Sequence, residues 1–150
     1  MSLLVAIHVL AAVVWVGGMF FAYWVLRPAA GPLEPGARLA LWHRVFGRFF
    51  PWVWTSIVLL LASGLGMIFL YLGGFAGAGL HVHVMVGIGA IMMLLFLYLF
   101  FLPWRRFAGA VERGQFPEAA KHLTQIRRIV AANLTLGLVT IIVGASGRFW

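Results

Sequence analysis

Four long apolar runs decide what solvent this chain can fold in. They cover Leu3 to Leu26, Pro51 to Leu72, Leu80 to Leu102 and Ile129 to Ala145. About 20 apolar residues in helical form cross roughly 30 Å of hydrocarbon, and only a helix or a closed barrel satisfies its own backbone there. No stretch shows the strict alternation of a strand. The runs therefore predict an all-α integral membrane protein, and a composition of 64% hydrophobic and 9% charged residues agrees. So little chain lies outside them that one four-span domain, residues 1–150, is the economical arrangement. It is expected as a four-helix bundle in up-down-up-down order.

The charge pattern orients that bundle. Arg27, Arg38, Arg44 and Arg48 lie between the first and second runs; Arg105, Arg106, Arg113, Lys121, Arg127 and Arg128 lie between the third and fourth. The Gly73 to Gly79 segment carries no charge. By the positive-inside rule the two basic connections are cytoplasmic and both termini face the periplasm, across a bacterial inner membrane. The formal charge of +8 is thereby a feature of topology, and nucleic acid is not an expected partner. The first run lacks a basic leader and a small-residue cleavage site, so it is expected to stay in the mature protein. With no cysteine, disulfides, thiolate metal sites and covalent haem attachment are excluded.

Punctuation between the runs is clear. Pro28, Gly31, Pro32, Pro35 and Gly36 break the first connection. An amphipathic helix from Ala37 to Phe50 follows and leads into the second span, with Pro51 at a kink or junction. Gly73 to Gly79 reads as a flexible loop. Pro103 is expected to end the third span, and Pro117-Glu118 to open the helix that becomes the fourth.

Five histidines are the candidates for chemistry. His8 falls about 8 Å inside the first span, from a rise of 1.5 Å per residue, where an ionisable side chain needs a reason. Its face continues through Ala11, Ala12, Trp15, Gly18 and Met19. His81 and His83 open the third span, but residues two apart on a helix point about 200° apart. His83 shares its face with Val86, Gly87 and Ala90, a slot beside an imidazole; His81 shares its face with Met85, a softer donor set. His8 and His83 are expected at matching depth on neighbouring helices, as two axial ligands of a haem would be, with Trp15 packing on the ring. His43 and His122 precede the second and fourth spans and suggest a second site, with Arg44 and Arg48 facing propionates. The three acids, Glu34, Glu112 and Glu118, all lie in the basic connections, so no buried acid relay or hydrolytic carboxylate pair exists.

The run His8-Val9-Leu10-Ala11-Ala12-Val13-Val14-Trp15-Val16-Gly17-Gly18-Met19-Phe20, followed by Val25-Leu26-Arg27-Pro28, resembles the first span of the copper-resistance protein D (CopD-like) family. Arg44-Val45-Phe46-Gly47-Arg48-Phe49-Phe50 and Ser63-Gly64-Leu65-Gly66 are similar to that family's second span. The pattern also resembles the HemJ type of protoporphyrinogen oxidase, a four-span haem b family, through His8 and His81; that family has a lysine where this chain has His83. The first resemblance implies copper homeostasis, the second a haem-holding bundle.

Two functions stand as expectations. One is a b-type haem redox protein, with one haem on His8 and His83 beside Trp15, Gly87 and Ala90, or two if His43 and His122 form a second site. It would be a membrane oxidoreductase or electron carrier serving a lipid-soluble partner such as a quinone. The other is copper transport or binding through His8, His81, His83 and Met85. A non-catalytic membrane subunit with structural histidines is the third reading, and a homodimer is left open.

Overall fold

The structure, a computed structural model, describes residues 1–149. Four helices are long and apolar enough to cross a membrane: α1 (Ser2–Ala29), α2 (Pro35–Tyr71), α3 (Leu80–Glu112) and α4 (Phe116–Ser146). No strand occurs among the described residues.

Proline shapes the helices without stopping them. Pro103 was expected to end the third span, yet the helical path continues to Glu112 through a π-helical turn at Phe100–Trp104. A second π turn, Phe21–Leu26, precedes Pro28 in α1. Proline has no N–H for the carbonyl four residues back and its ring crowds that carbonyl. A locally wider turn accommodates both defects, so each helix outruns its apolar segment. Pro51 likewise lies inside an unbroken α2. Pro35 and Pro117 sit in first turns, where no N–H is needed, and Glu118 adds negative charge to the start of α4.

The Gly73 to Gly79 segment is a bonded turn. Gly73 and Gly74 take φ of 71° and 84°, which lets the Gly74 amide reach back to the Ile68 carbonyl at 2.9 Å. A short 3₁₀ turn, Phe75–Gly77, follows.

Small residues bring the helices together. Leu4 lies over Gly66, His8 over Gly64, and Phe49 over Gly18, so rising positions on α1 meet falling positions on α2. On the other pair, His81 meets Gly147, Met85 meets Gly144, and Tyr98 bonds Gln125. Gly137 of α4 joins the pairs, lying against Val16 of α1 and Met92 of α3.

The bundle's heart is aromatic and lies toward the end that carries the arginines. Phe46, Phe50 and Trp54 of α2 interleave with Phe96, Phe100, Trp104 and Phe107 of α3 in edge-on pairs, and Trp42 tilts onto Phe46 of its own helix. Outside, large apolar residues stand free: Leu3, Leu70 and Leu80 are each more than 70% exposed. Continuous apolar exteriors on four spanning helices suit lipid and are ruinous in water. The protein is a multi-pass membrane protein in contact with the bilayer.

Candidate functional site

At the end of the bundle near the glycine loop, the site begins with His8. Its Nδ1 lies 2.9 Å from Ser63 Oγ. The serine hydroxyl has one proton, and gives it to the Leu59 carbonyl at 2.5 Å. Ser63 can then only accept from the imidazole, so Nδ1 carries the hydrogen and Nε2 keeps a lone pair. Gly64 leaves room for the ring: a Cβ there would lie 3.3 Å from His8 Cε1. A hydrogen-bonded Nδ1–H behind a bare Nε2 is how proteins aim a metal-binding imidazole.

The α3 histidines part company as helical geometry requires. His81 turns toward α4, where a Cβ on Gly147 would collide with its side chain. Four residues on, Met85 meets Gly144, and a Cβ there would lie 3.2 Å from the sulfur. Imidazole and thioether thus share one face of α3, against the C-terminal end of α4. His83 is exposed; its Nδ1–H donates to the Gly79 carbonyl at 3.1 Å and its ring lies 6.1 Å from Phe75. Gly87 and Ala90 are exposed on that same outward side. The pairing of His8 with His83 expected from depth is not among these contacts, because depth fixes height along a helix but not azimuth. Trp15 is buried, edge-on to Phe96 at 6.3 Å, as part of the core.

At the basic end, His43 stacks on Trp104 at 5.5 Å and its Nε2 lies 3.9 Å from Glu112. His122 pairs with Glu118, one turn earlier on α4, at 3.2 Å. Each imidazole has its own carboxylate. Arg44 and Arg48 are exposed. Among the described residues no three histidines or acids gather into a metal cage.

Three features escaped the sequence. Ser63, quoted only as part of a motif, is the His8 partner; a lone serine in an apolar run is its weak signal. Asn133, a lone amide in the fourth apolar run, donates from Nδ2 to the Met92 carbonyl at 3.1 Å. Trp42 reads as an interfacial belt residue, yet it is only 2% exposed, with Arg127 over its ring at 5.5 Å.

A family model for copper resistance protein D matches residues 43–146, well over half of the chain. The chain belongs to the CopD family. Within this CopD-family protein, His43, His81, His83, Met85 and His122 fall inside the matched segment, while His8 precedes it. No curated protein and no solved structure matches the chain.

Proposed function

We propose that the protein handles copper as cargo in a bacterial inner membrane, taking it at the end of the bundle near the glycine loop. The observation that carries this reading is the shared face of His81 and Met85, held against Gly147 just past the end of α4 and Gly144 within it. Thioether and imidazole are soft and borderline donors that suit Cu(I). A pair of neutral donors fits a cation that must leave again, and the absence of a three-ligand cage of histidines and acids among the described residues is in keeping with that. His8, with its free Nε2 deeper in the bundle, is the next donor, and His83 the exposed one. In this reading the helices run up-down-up-down, with both termini and the glycine loop periplasmic and the arginine-rich connections cytoplasmic.

The test is competition for Cu(I) between the purified protein and a chromophoric chelator under ascorbate. Met85→Leu and His81→Ala should each weaken binding by about tenfold, the effect of losing roughly 1.4 kcal/mol. Affinity unchanged in both variants overturns the assignment.

A second reading has its own observation. The Ser63-fixed tautomer of His8 would suit an imidazole that holds a b-type haem, and Gly64 leaves room beside the ring. Haem would supply one-electron chemistry, making the protein a redox partner of a lipid-soluble carrier such as a quinone. A Soret band lost in His8→Ala and indifferent to Met85→Leu favours haem; a colourless protein whose copper affinity falls in Met85→Leu favours copper.

A further inference from the structure

Three arginines converge at the basic end with no carboxylate among them. Arg27 closes α1, Arg38 lies in the first turns of α2, and Arg127 stands on α4 just before its apolar run. Arg127 feels the positive charge of both the others. With Arg27, Tyr23 and Trp42 it lines a narrow recess, and with Arg38 and Thr124 it lines a cleft of about 370 Å³. The bundle's ion pairs lie elsewhere: Glu112 faces His43, and Glu118 serves Lys121 and His122. Among the described residues no carboxylate pairs with Arg27, Arg38 or Arg127.

Two donors in this recess are buried and unsatisfied. Trp42 Nε1 and Arg127 Nε have no acceptor, although nearly all buried donors in proteins find one. The cations are also pre-aimed: Arg27 lies over Tyr23 at 5.1 Å, and Arg38 donates to the Gly31 carbonyl at 3.2 Å. Mutually repelling cations around buried idle donors describe an anion site whose counter-charge comes from outside the chain.

We propose that Arg27, Arg38, Arg127 and the Trp42 indole N–H bind the phosphate of an anionic phospholipid. The surroundings choose lipid over a soluble anion. The fourth apolar run opens at Ile129, two residues past Arg127, so a phosphate held by that guanidinium leaves its acyl chains beside the lipid-facing part of α4. The site also sits where the apolar runs give way to charge, the depth of headgroups. Three cations favour a headgroup with two phosphates over one. The site is separate from the proposed copper donors and does not depend on them.

The test uses the whole protein, delipidated in neutral detergent and titrated with diphosphatidylglycerol, phosphatidylcholine and inorganic phosphate, read by native mass spectrometry. Diphosphatidylglycerol should bind at least about tenfold more tightly than phosphatidylcholine, and Arg127→Gln should lose about that factor, the scale of a charge-assisted hydrogen bond. Arg106→Gln, at an exposed arginine outside the site, should stay within about twofold. Equal losses in both variants would reveal a diffuse basic edge and overturn the site. Displacement of the lipid by an equal concentration of inorganic phosphate would overturn the choice of lipid. Should Arg127→Gln not fold, Trp42→Phe decides: it keeps an aromatic ring and all three charges while removing the N–H along with part of the indole, and an affinity equal to that of the unaltered chain refutes the proposal.

Discussion

The contact between His8 and Ser63 can be weighed by a double-mutant cycle. Ser63→Ala removes one interhelical bond, 2.9 Å long and half-buried, and one local bond to the Leu59 carbonyl. The local bond matters little, since that carbonyl keeps its own helical N–H and alanine is a good helix former. Interhelical hydrogen bonds in membrane bundles average about 0.6 kcal/mol and reach about 1.7. The ideal length places this one in the upper part of that range. A coupling energy of about 1 kcal/mol between His8→Ala and Ser63→Ala is expected, roughly a fivefold change in the folding equilibrium. Reversible SDS unfolding of the detergent-solubilised protein, followed by circular dichroism, measures it. A coupling below about 0.3 kcal/mol, inside the scatter of independent sites, would refute the claim that Ser63 holds the imidazole.

The same assay reads the packing. Gly137→Ala should destabilise the bundle by about 1–3 kcal/mol, because the added Cβ would lie 2.8 Å from Cγ2 of Val16, a stiff β-branched side chain, and 3.1 Å from Met92 Cε. Helix propensity will not offset this, since the SDS-unfolded helix is already formed; Gly17→Ala, with nothing within 4 Å of its Cβ, should change stability by less than about 0.5 kcal/mol. Equal effects in the two variants would discredit the three-helix contact. Asn133→Leu should lie within about 1 kcal/mol of the unaltered chain, since it deletes one bond to Met92 and also the buried Oδ1 that has no donor. A loss above about 3 kcal/mol would mean that Oδ1 has a partner the bundle relies on.

Sequence alone determined the solvent, the number of helices and the chemical inventory. Twenty-residue apolar runs have one low-energy state in lipid, and missing cysteines or embedded acids are missing in any fold. It also put a helix start at Pro117, because a proline's lack of an N–H is a local matter, whereas the second helix, expected from Ala37 after a break at Pro35 and Gly36, begins at Pro35 itself. It failed at Pro103 for the opposite reason: whether a helix passes a proline depends on the packing that supports a π turn. The separation of His81 from His83 was legible, since it follows from 3.6 residues per turn. The partners of His8, the packing of Arg127 over the buried Trp42, and the contact of Met85 with Gly144 were not. Those depend on how each helix is rotated about its axis, and a helix that is apolar all round carries little signal of which side faces protein and which faces lipid. Only the glycines and the contacts they permit settle that rotation, and they do so between residues tens of positions apart.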